Sequence, residues 1–547
     1  MNQSCQTRRQ FLKMAGCRAA AAIFASAGYP INAKQSQRRP NIVLIMDDDM
    51  GYCDIGCYGG EISTPNLDEL AQNGLRFSQF YNTARCCPTR ASLLTGLHPH
   101  QTGIGGMTNS PTKIRDVNTS PYGYMGFLNR DCVTIAEVLK EAGYHTYMTG
   151  KWHLGYHAKE RWPLQRGFER YYGIISGACS YLWPHGDRGI TYDNKPVVIE
   201  KDSDYYTTDA FTDYAIKFLQ EQKDDKPFFL YVAYNAPHWP LHAKEQDIKK
   251  FVGKYMCGWD ELRKQRLKRM VEMGLVKKQW GLSSRDPGAR AWNELTDEQK
   301  KQLDYRMAVY AAQIHCVDYN IGKLINTLKK LDKFDNTLIL FLSDNGGCAE
   351  PYTDLGGGEF EDINNPDKSG AISYGQGWAN ASNTPFRLFK VWVNEGGIST
   401  PLIAHWPAVI QEQKGKITHD VGYLPDIMPT VLEVTGAKYP TEYNGNKIQP
   451  FEGRSLAAAF KGGQLTPHEW MYWEHMGHCA VRHGKWKAVR LKNNDQWELY
   501  DIEADRCETN NLAEKHPEIA KQLANKWNEW AKRCHVVPKP KSEKTKK

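Results

Sequence analysis

Residues 41–52 read NIVLIMDDDMGY, six residues rich in large aliphatic side chains followed by three acids, Met and Gly. A short apolar run that stops at turn-forming residues marks a strand buried on both faces. Four other stretches have this character: HTYMT (145–149), PFFLYVAY (227–234), NTLILFLS (336–343) and TPLIAHW (400–406). Between them the periodicity changes. Met307, Tyr310, Ile314, Val317, Ile321, Leu324 and Leu328 recur three and four apart, which predicts a long helix. TPNLDELAQNG and TIAEVLKEAG also fit helices, each stopped by a glycine. Strands alternating with helices predict an α/β fold: a large, mostly parallel mixed sheet flanked by helices.

The 547-residue chain is long enough for a large core and two unequal domains. The main α/β domain is expected over 38–434. After about residue 435, EWMYWEHM, CAVRHGKWKAVRLK and QWELYDIE read as short strands, followed by the helix PEIAKQLANKWNEWAKRC. A small antiparallel sheet with one helix is therefore expected over 435–537. The polar segment 253–303 reads as a helical insertion on the surface, and the glycine-rich stretch 354–383 as a long functional or mobile loop. The net charge of +8 sits at the ends. Arg8, Arg9, Lys13 and Arg18 lie in the first 33 residues without an acid, and five lysines against one glutamate lie in 538–547, a tail expected to be disordered. The remainder is neutral, so the charge gives no argument for a nucleic-acid partner.

TRRQFLKMAGCRAAAAIFASAG, with paired arginines, a short weakly apolar run and small residues after it, has the layout of a signal peptide over 1–33. Arg8-Arg9-x-Phe-Leu-Lys resembles a twin-arginine export signal. The apolar run is too short to span a bilayer, and Cys17 precedes it rather than following it, so no membrane anchor is expected. Of fourteen cysteines, twelve follow residue 33, none in zinc-type CxxC pairs. Substrates of twin-arginine export fold before leaving a reducing cytoplasm, so most of these thiols are expected to be small buried apolar groups.

Polar residues fall where the strands end. NIVLIM runs into Asp47, Asp48 and Asp49, NTLILFLS into Asp344 and Asn345, HTYMTG into Lys151 and His153, and FFLYVAYNAP into His238. Ligands of open α/β sheets bind beyond the carboxyl ends of the strands. Taken singly, an aspartate after a strand is an ordinary turn former, and a histidine beside aromatics an ordinary packed side chain. Together, several oxygen donors with no His or Cys pairing suit a hard cation, Ca²⁺ or Mg²⁺. Lys151, Arg90 and the imidazoles would line it with positive charge, suited to phosphoryl or sulfuryl transfer.

CCPTRASLLTG (86–96) resembles the signature of the type I, formylglycine-dependent sulfatases, Cys-x-Pro-x-Arg followed by a Leu-Thr-Gly segment. DDMGY, YGGEISTPNLDELAQNGLRF, GKWHLG, APHWPL, LSDNGG and FRLFKVWVNEGGISTP resemble further blocks of that family, in its order, over 40 to about 410. The likeness is to bacterial arylsulfatases within the alkaline phosphatase superfamily. It implies that Cys86 is oxidised to Cα-formylglycine by a separate enzyme before folding. It implies one Ca²⁺ (Mg²⁺ second) held by Asp48, Asp49, Asp344, Asn345 and the modified Cys86. Asp47 departs from the family pattern, and a ligand shift to it stays open. Arg90 would hold the hydrate, Lys151 would bridge it to sulfate, and His153 would face its second hydroxyl. His238 and Lys390 would face the leaving oxygen.

In the chemistry this implies, one hydroxyl of the hydrate attacks sulfur. The second, deprotonated by His153, then expels sulfate from the sulfo-enzyme. The expected function is hydrolysis of an aryl or carbohydrate sulfate by an exported, periplasmic or secreted enzyme. Phosphonate or phosphate ester hydrolysis, or non-catalytic binding of a sulfated glycan, are the alternatives. Trp152, Trp183, Trp239, Trp378 and Trp392 are candidates for stacking on a substrate ring.

Overall fold

The structure, a computed structural model, describes residues 39–108 and 122–536. The leader expected over 1–33 and the lysine-rich tail lie outside them. Ten strands form the main sheet: β1 (Asn41–Asp48), β2 (Leu75–Tyr81), β3 (His145–Lys151), β4 (Arg170–Ile174), β5 (Ile190–Tyr192), β6 (Lys195–Val197), β7 (Phe228–Pro237), β8 (Thr337–Ser343), β9 (Ser399–His405) and β10 (Lys416–Tyr423). Their order is β10-β2-β9-β8-β1-β7-β3-β4-β5-β6. The central block β8-β1-β7-β3-β4 is parallel, and β9 runs against both its neighbours.

Both faces of β1 are covered, which is why its sequence is a continuous apolar run. Val43 and Ile45 enter the core shared with the helix Asp297–Lys330, whose predicted stripe from Met307 to Leu328 is buried. Ile42, Leu44 and Met46 enter the opposite core with the helix Cys86–Thr95. Register brings the strand ends level: Asp47 lies opposite Ser343, Asp48 opposite Pro237, and Gly150 opposite Ala233. The residues that follow, or end, these strands therefore meet at one rim.

Several elements depart from the sequence reading. β2 is one, because Arg76, Ser78 and Gln79 interrupt its apolar pattern. Arg76 donates from its two terminal nitrogens to the carbonyls of Cys57 (2.9 Å) and Gly415 (3.1 Å), so its charged end is held within the sheet region, while its buried Nε has no hydrogen-bond partner. The segment 253–303 is not a superficial insertion. Its helix Gly258–Glu272 buries Trp259, Leu262 and Met270, and the fully buried Arg266 pairs with Asp54 (2.7 Å) and Glu61 (2.8 Å). The stretch 354–383 is largely irregular but ends in the buried helix Gln376–Ser382.

Downstream, a short hairpin of β11 (Glu442–Tyr443) and β12 (Asn446–Lys447) precedes four antiparallel strands. These are β13 (Met471–His475), β14 (His478–His483), β15 (Trp486–Arg490) and β16 (Glu498–Asp501). The amphipathic helix Pro517–Arg533 lays Leu523, Trp527 and Trp530 on the face formed by Val481, Ala488 and Leu499.

Candidate active site

Cys86 opens a ten-residue helix in which every residue is buried. Arg85, just outside the helix, is extended and pairs with Glu350 at 2.6 Å. Cys86 is 1% exposed. A hydrogen bond from Cys87 holds its thiol well below the usual range; burial opposes this, and Lys151 and His153 add to the lowering. The Cys87 sulfur in turn lies 3.3 Å from His153 Nε2. Burial keeps His153 neutral, with its pKa down at about 4.

Behind Cys86 the charges interlock. Arg90 donates from Nη2 to Asp344 Oδ2 at 2.7 Å and from Nη1 to the Lys151 carbonyl at 3.1 Å. Lys151 Nζ donates to Asp48 Oδ2 at 2.6 Å. Asp49 adopts a left-handed backbone, φ 70°, as the chain turns off β1, and its N–H donates to Asp344 Oδ1 at 3.2 Å. Lys390 Nζ and Asn345 Nδ2 each lie 2.6 Å from Asp49 Oδ1, and His238 Nε2 lies 3.5 Å from its Oδ2. The structure thus gathers Asp48, Asp49, Cys86, Arg90, Lys151, His153, His238, Asp344, Asn345 and Lys390 at the carboxyl ends of β1, β3, β7 and β8.

Asp47 stands apart. Side chains alternate along a strand, so Asp47 follows Val43 and Ile45 toward the long helix, while Asp48 follows Leu44 and Met46 toward Cys86. Neither Asp47 carboxylate oxygen has a hydrogen-bond partner, and burial, with Asp344 and Asp318 nearby, pushes its pKa well up.

The donor set fits a hard divalent cation. Asp48, Asp49 and Asp344 are buried carboxylates within one cluster of contacts, and Asp48 Oδ1 and Asn345 Oδ1 are buried without a partner. Buried acceptors left open in this way are rare and ask for a ligand. All are oxygens, the preference of Ca²⁺ or Mg²⁺.

In front of Cys86 is a cavity of about 340 Å³ lined by His153, His238, Arg85, Glu350 and Trp239 among others. Glu350, Arg85 and Trp239 form a chain: Trp239 Nε1 donates to Glu350 Oε2 at 3.3 Å, and Lys390 and Arg85 hold that carboxyl down at about 2 against its burial. Sequence reasoning missed Glu350 and Arg85. No spacing signals Glu350, whereas Arg85, next to the Cys-x-Pro-x-Arg run, could have been suspected from position. Of the tryptophans, Trp152 and Trp378 are fully buried core residues, and Trp392 packs edge-on against Phe389 at 5.0 Å. Of these five, Trp239 lines this cavity and Trp183 a neighbouring one.

The family model of the sulfatases matches residues 40–437. The chain belongs to the sulfatase family. A second model, the C-terminal region of N-sulphoglucosamine sulphohydrolase, matches residues 386–533 of this sulfatase. It is 32% identical to an uncharacterised sulfatase of Schizosaccharomyces pombe over 538 residues, covering 93% of this chain and 96% of the relative. It is 34% identical to an arylsulfatase of Klebsiella aerogenes over 436 residues, 77% of this chain and 92% of that one. Among solved structures it is similar to Ps i-CgsB in complex with k-i-k-neocarrahexaose, with a TM-score of 0.67, 26% identity, and 93% and 96% of the two chains covered. The sulfatase is a sulfuric ester hydrolase, and its family generally implies a formylglycine and a divalent metal. Among the described residues no helix is long and apolar enough to cross a membrane.

Proposed function

We propose that this sulfatase hydrolyses sulfate monoesters at Cys86, matured to formylglycine, with Ca²⁺ held by Asp48, Asp49, Asp344 and Asn345. One observation carries the reading: the thiol that the signature marks for oxidation lies at the head of a buried helix. It has Lys151 and Arg90 behind it and a cavity bearing two histidines in front. When present, the aldehyde hydrate supplies the hydroxyl that attacks sulfur, and the cation polarises it.

The chain's own residues do the rest. Arg90 and Lys151 are fixed by Asp344 and Asp48, so their positive charge is in place before substrate arrives. His153, neutral and beside the sulfur atoms of the CysCys pair, is placed to take a proton from position 86. His238 has Nδ1 on the Trp239 carbonyl at 2.7 Å, which turns Nε2 toward Asp49. Lys390 shares that carboxylate and stays charged, while burial, Lys390 and Lys151 hold the His238 pKa well down, so the leaving alcohol takes its proton from Lys390 with His238 beside it. The products are the alcohol and inorganic sulfate.

Intact-mass analysis of protein from a host that makes formylglycine is expected to show an aldehyde at position 86, and Cys86→Ala to release no sulfate. An unmodified thiol in active protein contradicts the reading. Chelation followed by addition of Ca²⁺ or Mg²⁺ identifies the cation. Turnover of a sulfate monoester against a phosphate diester separates this function from phosphonate or phosphate ester hydrolysis. Export by the twin-arginine machinery to the periplasm or beyond belongs to the same proposal, supported by the Arg8-Arg9 pattern. Replacing both arginines by lysine is expected to retain the protein in the cytoplasm. The segment 435–537 is proposed as a subdomain appended to the catalytic 38–434.

A further inference from the structure

Cys86 is followed by a second thiol, and one histidine faces them both. The sulfur atoms of Cys86 and Cys87 and a ring nitrogen of His153 all lie within 4.8 Å of one another. His153 lines the catalytic cavity, whereas Cys87 is fully buried. Cys87 Sγ is 3.3 Å from His153 Nε2, and it is itself placed by Met107 Sδ at 3.6 Å and Thr108 Oγ1 at 3.8 Å. The other ring nitrogen, Nδ1, is buried and has no hydrogen-bond partner. The His153 backbone is left-handed, φ 56°, and its N–H donates to the Ile175 carbonyl at 3.1 Å. The ring lies against Gly177, where a Cβ would stand 2.4 Å from His153 Cε1 and 2.6 Å from Nε2. The main chain and Gly177 thus confine the ring. Leaving position 86 aside, the hydrogen bond that sets its rotation among the described residues is the one with Cys87.

We infer that Cys87 is a positioning residue: it holds the His153 imidazole toward position 86, and the release of sulfate in the second half of the reaction depends on it. This role rests on the reading that position 86 is matured to formylglycine, and it falls on the residue that the Cys-x-Pro-x-Arg signature leaves variable. In that half-reaction the free hydroxyl at position 86 passes its proton to His153. The O–H electron pair becomes the second bond of the aldehyde C=O, the C–O bond to sulfate breaks, and its electron pair leaves with the sulfate. Nothing is oxidised or reduced. The base must sit within hydrogen-bond reach of that hydroxyl, and a small misplacement is enough to slow the transfer. A thiol serves the ring in both of its states, because it is a weak donor and a weak acceptor. It donates to an unprotonated ring nitrogen and accepts from the N–H of the imidazolium. The first half, attack on sulfur and departure of the alcohol, draws on the cation, Lys390 and His238, so Cys87 acts on one half only.

Matured parent enzyme is compared with Cys87→Ala and Cys87→Ser, each checked by intact mass for the aldehyde at position 86 so that rates are counted per aldehyde. In stopped flow with 4-nitrophenyl sulfate, Cys87→Ala is expected to release its first equivalent of 4-nitrophenol within about twofold of the parent rate and then to turn over about tenfold or more slowly. Acid quench should find the SO₃ group accumulated on the peptide bearing position 86. Cys87→Ser keeps a donor and an acceptor at the same place and should recover turnover to within about threefold of the parent. Crystal structures give a readout without turnover: the His153 ring should take one orientation in the parent and in Cys87→Ser, and be rotated or split in Cys87→Ala. Cys87→Val, which keeps the space filled without a hydrogen bond, stands in should Cys87→Ala fail to fold. Equal slowing of both phases assigns Cys87 to packing and overturns the inference, as does a His153 ring that keeps the parent orientation in Cys87→Ala. If the parent carries no aldehyde and releases no sulfate, the formylglycine reading fails, while the ring orientations in the unmatured proteins still decide whether Cys87 places His153.

Discussion

Two of the buried charge clusters in this molecule are built on opposite plans. At Glu395 every carboxylate oxygen is used. Oε1 accepts from Lys487 at 2.8 Å, and Oε2 accepts from Arg506 at 2.7 Å, Tyr81 at 2.9 Å and Ser399 at 3.0 Å. Lys487 comes from β15 and Arg506 from just beyond β16, so the cluster pins the small sheet to the end of the large one. At the proposed catalytic rim, Asp48 Oδ1 and Asn345 Oδ1 are left without a hydrogen bond among three carboxylates. Burial and Asp344 push the Asp48 carboxyl well up, only partly offset by Lys151 and Arg90. A saturated cluster holds structure together, whereas one that keeps acceptors open is held in shape by the surrounding fold and is available to a ligand.

The sharpest way to break this comparison is to neutralise one acid in each cluster. Asp48→Asn is expected to lower sulfate release about a thousandfold, the scale of losing one electrostatic contributor at a reacting centre. Its melting temperature should fall less than that of Glu395→Gln, because burial and Asp344 already disfavour the charge that is removed, although Lys151 loses a charged partner. Glu395→Gln should do the reverse. It strands Lys487 and Arg506 in a buried site and should cost about 3–5 kcal/mol of stability, while the folded fraction keeps its specific activity. Denaturation midpoints and sulfate-release assays on both variants check the pair. Loss of activity without loss of stability in Glu395→Gln would erase the distinction.

Acid should separate the clusters next. Burial raises the Glu395 carboxyl, but Lys487 and Arg506 outweigh it and hold the group at about 2 against an ordinary 4.5. A depressed carboxyl contributes stability that is fully present above the unfolded value and lost as pH falls from about 4.5 toward 2. By linkage that is about 3 kcal/mol. Glu508, 2.9 Å from Lys487, works the other way: burial raises its pKa, so its protonation favours the folded state as pH falls. Glu508→Gln should therefore remove a gain in stability that the parent shows as pH falls toward about 4.5, leaving the loss below that value in place. Melting temperatures measured above and below that value report both effects, and an unchanged profile in Glu395→Gln would deny this cluster a part in acid stability.

The contrast also explains what the sequence could disclose. Asp48, Asp49, Lys151, His153, His238, Asp344 and Asn345 were legible because they end or follow apolar strands, and Cys86, Arg90 and Lys390 because the Cys-x-Pro-x-Arg run and its companion blocks keep a recognisable order. The five apolar runs became β1, β3, β7, β8 and β9 since residues buried on both faces leave no polar interruption. The Glu395 cluster was illegible. Its members come from 81, 395, 487 and 506, and nothing local marks Lys487 in WKAVR as buried rather than solvent-facing. Arg266 misled for the same reason. A basic residue in a polar helix reads as surface, and only Asp54 and Glu61, more than two hundred positions away, make its burial tolerable. Glu350 closes the catalytic cavity through contacts with Arg85 and Trp239 that no spacing reveals.

The smallest expected effect tests the boundary of the rim itself. Asp47 and Asp48 are adjacent acids with the same side chain, both fully buried, yet the strand sends them to opposite faces of the sheet. Asp48 meets Lys151 and Arg90. Asp47 meets no donor, and its environment favours the neutral carboxylic acid. Asparagine has nearly the same shape and no charge, so Asp47→Asn changes little that the folded protein uses. Its turnover should stay within about threefold of the parent, under about 1 kcal/mol in the barrier, and the divalent-cation concentration giving half-maximal activity should not move. Only the main-chain carbonyl of Asp47, which accepts from Asp344 N at 3.0 Å, helps to place a rim residue, and that bond survives the substitution. Should Asp47→Asn instead match Asp48→Asn in lost activity and weakened response to the divalent cation, the proposed ligand set would have to shift by one residue. The face-by-face separation of β1 would then not be what divides a working acid from a silent one.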